Sequence, residues 1–116
     1  MPTTRVRAEL LKGNTSALIL TVLSEGPLHG YAIARKIEVL SENLLSLNEG
    51  SLYPTLHSLE NDGAVTAAWE KEGGRPRKRY QITAKGRRQL SVLAKEWREF
   101  SGAVNRVLGV TGNGLA

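Results

Sequence analysis

Residues 48–83 read NEGSLYPTLHSLENDGAVTAAWEKEGGRPRKRYQIT, and within them the hydrophobic period changes once. Leu52, Tyr53, Leu56 and Leu59 recur at helical spacing, whereas Val65, Ala67 and Trp69 alternate, as do Tyr80 and Ile82. The first pattern predicts a helix with one buried face and the second predicts two half-buried strands. Asn48 is the expected N-cap, Ser46-x-x-Glu49 also fits a capping box, and Asn61-Asp62-Gly63 closes the helix. Pro54 falls inside it, where it removes a backbone donor and crowds the Gly50 carbonyl, so a distorted first turn is expected near Asn48. Gly73-Gly74 signals a turn, and Pro76 keeps the start of the second strand at an edge. The result is a hairpin with a basic tip.

Working outward, Leu11, Leu18, Ile19, Val22 and Leu23 form one stripe of a first helix, which Gly26-Pro27 ends. A second helix is predicted from about Gly30 to Asn43, with Ile33, Ala34, Ile37 and Leu40 on one face and a short connection over 44–47. Beyond the hairpin, Thr83 is positioned to cap a fourth helix. Its apolar residues Leu90, Leu93, Trp97, Phe100, Val104 and Val107 are spaced by alternating steps of three and four. That is a coiled-coil-like seam, too narrow for a core-facing helix and suited to a partner helix. Residues 109–116 are small and glycine-rich, so a disordered, frayed tail is expected. Gly109, Gly112 and Gly114 make no phosphate loop, because no strand precedes them and no helix follows.

Three helices followed by a hairpin is the order of a winged helix-turn-helix. The expected fold class is therefore mainly α with a small β-hairpin. Residues 5–83 are expected to form the winged helix-turn-helix unit, 84–108 a C-terminal dimerisation helix and 109–116 a disordered tail.

Charge is concentrated rather than spread. The chain has 116 residues and a net charge of +5. Eight basic residues between Lys71 and Arg88 face the single acid Glu72, a local net of +7, and the remainder of the chain is −2. One short segment thus carries all the excess, the footprint of a polyanion binder.

Several chemistries are excluded. Cysteine is absent, which removes disulfides, thiolate catalysis and cysteine metal sites, and fits a reducing compartment. His29 and His57 are the only histidines, and His57 has no second histidine at i+4, so no metal site is expected. Carboxylates are scattered singly, and Ser51, His57 and Asp62 share a helix but not a face, so no hydrolytic triad forms. The expectation is no catalytic residue, no enzyme activity and no cofactor. The apolar stretch 17–23 is too short to span a bilayer, and no secretory apolar run follows Arg5 and Arg7. A cytoplasmic protein without membrane partners is expected.

The ordered set His29-Gly30-Tyr31, Ser51-Leu52-Tyr53-Pro54, Leu59-Glu60, Gly63, Gly74-Arg75-Pro76, Tyr80-Gln81-Ile82-Thr83 and Gly86 resembles the PadR family of bacterial transcriptional regulators. The likeness runs from about Leu10 to Val107, and the single C-terminal helix resembles the shorter members. It implies a DNA-binding regulator. It also implies backbone contacts from Tyr31 at the start of the second helix and from Lys12 and Asn14 on the first.

The residues themselves say how DNA would be held. The third helix carries Glu49, Glu60 and Asp62 and no lysine or arginine, so it must read groove edges while other parts supply charge. Its N-terminal residues Ser51, Tyr53, Pro54 and Thr55, with His57 a turn later, are the expected readers. Pro54 and the Thr55 methyl suit a thymine methyl. Arg75, Arg77, Lys78 and Arg79 at or near the wing tip are the expected phosphate and minor-groove contacts.

A homodimer is expected from Leu90, Leu93, Trp97, Phe100 and Val104, joined by a second face of the first helix made of Leu10, Gly13 and Ala17 at i, i+3 and i+7. Two-fold symmetry would match a palindromic operator with half-sites about 34–36 Å apart or a multiple of that. Trp97 is either a packed interface residue or one wall of an effector cavity. The family resemblance places a ligand-stacking tryptophan there, implying a small aromatic or hydrophobic effector among Trp97, Leu93, Ala94, Leu10, Gly13 and Ala17. Repression is expected over activation, because no further domain is present to recruit polymerase. The competing functions are a winged-helix protein–protein adaptor and a non-specific architectural DNA binder.

Overall fold

A computed structural model describes residues 11 and 13–110 of the chain. The predicted roles of Leu10 and Lys12, and the tail beyond Val110, lie outside the described residues. The elements run α1 (Thr15–Leu23), β1 (Leu28–His29), α2 (Gly30–Leu40), α3 (Glu49–Asn61), β2 (Val65–Glu72), β3 (Arg75–Ile82) and α4 (Ala84–Leu108). The three strands form one antiparallel sheet in the order β1-β3-β2.

The two periods seen in the sequence account for the core. Ile19, Leu20 and Leu23 of α1, Ile33 and Ile37 of α2, and Leu52, Leu56 and Leu59 of α3 are buried together with Val65, Tyr80 and Ile82 of the sheet. Each such side chain contributes about 1.5–3 kcal/mol through burial. The helix-turn-helix pair and the base of the hairpin are therefore one rigid unit.

Sequence and structure part company at several places. The expected two-stranded hairpin has a third strand: Leu28 pairs with Tyr80 and His29 with Arg79. A two-residue strand is too short to show a period. The pairing makes β3 central, yet β1 reaches only Tyr80 and Arg79, so Pro76 still has a sheet partner on one side alone.

The first helix is interrupted. Gly13 sits at φ +91°, the left-handed region, and α1 begins at Thr15. Gly13 and Ala17 therefore do not share one continuous helical face. The second helix stops at Leu40 rather than Asn43. Glu42 and Asn43 both adopt positive φ (54° and 66°), and Asn43 N–H returns to the Glu38 carbonyl at 2.8 Å.

Asn48 caps α3 as expected, its Oδ1 accepting from Ser51 N–H at 2.9 Å, so the cap is Asn48 and not Ser46. Ser51 and Leu52 N–H both reach the Asn48 carbonyl, at 3.1 and 2.9 Å, which tightens the first turn ahead of Pro54. Helix α3 runs through Pro54 without a break.

Thr83 caps α4 by accepting from Gly86 N–H at 3.0 Å, while its own N–H bonds the Ala64 carbonyl at 3.0 Å. Gly86 is buried with its α-carbon against that same carbonyl, which leaves no space for a side chain. This clamp fixes the direction in which α4 leaves the body. Leu90 and Leu93 pack partly against the core. Beyond them the seam residues Trp97 and Phe100 are 50% and 62% exposed. Gly109 ends the helix at φ +76°, and Val110 N–H bonds the Asn105 carbonyl at 2.9 Å, so the first two tail residues form an ordered cap.

Candidate nucleic-acid interface

Helix α3 presents two sides, and its predicted reading residues divide between them. Ser51, Pro54 and Thr55 line an open groove of about 510 Å³ shared with Gly13, Thr15 and Ser16 around the first turn of α1. Tyr53 and His57 face the opposite way, into a groove of about 670 Å³ closed by the wing residues Trp69, Arg75, Arg77 and Lys78. Helix α3 is thus flanked by a hydroxyl-rich groove and a cationic aromatic one.

Local chemistry explains the first side. The N-cap leaves Ser51 at the helix start with an exposed side chain. The Thr55 hydroxyl donates to the Ser51 carbonyl at 2.9 Å, so its oxygen is left to accept only. Asn14 is the N-cap residue of α1, its carbonyl accepting from Leu18 N–H at 3.1 Å.

The second side is assembled by close packing. A Cβ on Gly30 would stand 2.7 Å from the Tyr53 hydroxyl and 2.9 Å from its ring. Glycine at position 30 therefore lets the Tyr53 ring lie against the start of α2. Tyr31, next in the chain, turns outward, and the Arg77 guanidinium lies 4.8 Å from its ring centroid. That is a cation–π contact joining the wing to α2.

The four basic residues expected at or near the wing tip are not equivalent. Arg75 follows the Gly73-Gly74 turn and is exposed. Lys78 reaches back to Glu60 at 3.3 Å, with its ammonium 5.9 Å from the Trp69 ring and 5.7 Å from the Tyr80 ring. Arg79 stands at the base of the wing, paired to Glu70 at 3.3 Å. The other Glu70 oxygen lies 2.8 Å from His29 Nε2, which donates to it in the tautomer protonated there. Partial burial pushes the Glu70 carboxyl up, but the hydrogen bonds and charges of His29 and Arg79 outweigh it and hold it below the usual value. Burial, reinforced by Glu60 and Tyr53, pushes the Tyr80 phenol up, so it stays neutral.

Three residues of this constellation are not legible from sequence pattern. Glu60 and Glu70 anchor wing cations through contacts that follow from strand register and from packing of the wing against α3. Alternation predicts a half-buried Trp69, yet it is 69% exposed. It lies on the face of Val65 and Ala67, but by position 69 the strand has passed the end of the core. The sheet register sets Trp69 opposite Lys78, a pairing that shows only once the hairpin is folded.

A third, smaller groove of about 210 Å³ brings together Gly13, Ala17, Leu93, Trp97 and Phe100, with Glu96 at its side. Five residues predicted for the dimer seam therefore meet despite the break at Gly13. Among the described residues no cluster of three or more metal-ligating side chains occurs, and no helix is long and apolar enough to cross a membrane.

Residues 19–92 match the model of the transcriptional regulator PadR-like family. The transcriptional regulator Rv3488 of Mycobacterium tuberculosis is 32% identical over 100 residues, covering 83% of this chain and 88% of that protein. A transcriptional regulator from Clostridium thermocellum superposes with a TM-score of 0.80 at 26% identity, over 85% of this chain and 97% of the other. A PadR family transcriptional regulator from Eggerthella lenta gives 0.75 at 30% identity, over 89% and 88%. Its winged helix-turn-helix, its single long C-terminal helix and these matches place the chain in the PadR-like family of DNA-binding transcriptional regulators.

Proposed function

We propose that the chain acts as a homodimeric repressor that reads a palindromic operator and is released by a small aromatic or hydrophobic effector. One observation carries the DNA half of this reading. The wing cations Arg75, Arg77 and Lys78 and the α3 residues Tyr53 and His57 border the same groove, so charge and reading surface lie side by side. In this scheme Ser51, Pro54, Thr55 and His57 discriminate bases, while the wing, Tyr31, Lys12 and Asn14 hold the backbone. Residues 5–83 form the reading unit and α4 pairs the two copies.

The effector half is supported by the groove between Gly13, Ala17, Leu93 and Trp97. Its small volume in one chain fits half of a cavity that a second copy closes. Filling it would change how the two α4 helices pack, and with them the separation of the wings.

Selection from random duplexes tests the reading. The expected product is a palindrome, bound tightly in dilute buffer and released by flat aromatic compounds. Selection without any consensus would instead indicate an architectural binder. Replacing Ser51 and Thr55 with alanine should shift the consensus while affinity for random duplex holds.

A further inference from the structure

We propose that Trp69 is a DNA-contact residue, its indole packing on the sugar–phosphate backbone that passes between α3 and the wing. The inference rests on the DNA-binding reading above and adds to it a contact that uses no charge.

Trp69 stands in β2, one pleat beyond the buried run of that face. Val65 is 1% exposed and Trp69 is 69% exposed. A tryptophan left so open on a folded body is an unmet burial, and its surroundings specify what would meet it. The groove it borders is walled by Arg75, Arg77 and Lys78, and among the described lining residues the single acid is Glu49. A partner that covers the indole must therefore be anionic along its length yet offer apolar surface. The backbone of a DNA duplex has both, with phosphates spaced for the cations and deoxyribose faces between them. The opposite wall holds Tyr53 and His57 of the recognition helix, so a helix lying in the major groove brings the flanking backbone into this groove.

Lys78 contributes to the geometry. Its ammonium lies over the indole, 5.9 Å from the ring centroid, and 3.3 Å from Glu60, which holds the cation at the ring rather than across the groove. Most of the indole is still uncovered, at 69% exposure, so a backbone can pack on what Lys78 leaves open.

The test uses the full chain and a fluorescein-labelled duplex of the selected site. Trp69→Ala should weaken duplex binding about tenfold, the effect of removing a buried aromatic contact, while Trp69→Phe recovers most of it. The slope of log affinity against log salt should stay at the parental value, because no phosphate cation is removed. Thermal unfolding should move little, since the ring is outside the core. DNA addition should reduce tryptophan emission in the parent and much less in Trp69→Phe.

Parental affinity in Trp69→Ala, with the parent binding normally, overturns this inference and leaves the DNA-binding reading intact. A weaker complex with a flatter salt slope assigns the effect to Lys78 and overturns it too. A parent that binds no duplex in dilute buffer overturns both.

Discussion

The Arg77 guanidinium lies 4.8 Å from the centroid of the Tyr31 ring, so the wing rests on the second residue of α2. This contact gives Tyr31 a second role beside the phosphate contact implied by the family resemblance: a platform that fixes where Arg77 points. The two roles separate by substitution. Tyr31→Phe keeps the platform and loses the hydroxyl, and its duplex affinity should remain near the parental value. Tyr31→Leu loses the platform and should weaken binding by about two- to fivefold, the worth of an exposed cation–π contact. Fluorescence anisotropy distinguishes them. Equally weakened binding in both variants would return the role to the hydroxyl.

The wing cations should appear in the salt dependence. Replacing Arg75, Arg77 and Lys78 together with alanine should weaken binding to all sequences alike. It should also reduce the slope of log affinity against log salt by about 2 to 3, roughly one for each phosphate deprived of its cation. Arg79 is paired to Glu70 at the wing base, so Arg79→Ala should change the slope less than Arg75→Ala. A triple variant with the parental slope would remove the wing from the interface.

How much of this is legible in the sequence depends on the distance over which each feature is encoded. Helix α3 and its cap are readable because the Asn48–Ser51 bond and the Leu52–Leu56–Leu59 stripe are local. The basic segment is readable from the order of charges along the chain. The separate fates of its members are not, because Glu60, Glu70 and Tyr31 reach them from 18, 9 and 46 positions away. Strand β1 is hidden because two residues carry no period, and the break at Gly13 because its left-handed turn leaves the flanking apolar residues unchanged. Alternation assigns Trp69 to the inner face of β2 correctly, but cannot show that the core has already ended.

Two glycines should be costly to replace, for different reasons. A Cβ at Gly86 would collide with the Ala64 carbonyl and stand 2.8 Å from Ile82 Cγ1, and a backbone carbonyl bonded to Thr83 cannot move aside. A Cβ at Gly30 meets the Tyr53 side chain, which can rotate toward the wing groove. Gly86→Ala should therefore destabilise by about 1–3 kcal/mol, the usual range for overpacking, with a fall in Tm of several degrees. Gly30→Ala should lower Tm less but weaken DNA binding, because it displaces Tyr53. Thermal unfolding and anisotropy on the same preparations check both halves.

Glu70 makes stability depend on acid. Its folded-state pKa lies below the ordinary 4.5, so its ionised form stabilises the fold at neutral pH. That contribution is complete above the unfolded value and disappears as pH falls through the lowered one. The groups facing it are His29 and Arg79, with Arg77 opposite it in the strand register. Glu70→Gln should therefore unfold at lower urea than the parent at pH 7, with the gap narrowing below about pH 4.5. A gap that is constant from pH 7 to pH 3 would show that the carboxylate charge contributes nothing.

The exposed aromatic pair on α4 gives the proposed dimer a direct test. Trp97 and Phe100 have ring centroids 6.1 Å apart and both are largely exposed on one chain, next to the small residues Gly13 and Ala17. In the proposed dimer a self-complementary interface would bury this patch, and a charge at its centre would be desolvated without a partner. Phe100→Glu should convert a dimer to a monomer at micromolar concentration, as read by light scattering. The intramolecular core should survive, because Leu90 and Leu93 lie upstream of the change. DNA affinity should fall far more on a palindromic duplex than on a single half-site, since only the palindrome engages two reading units. A parent that is monomeric at the same concentration, or a variant that remains dimeric, would place the subunit contact elsewhere.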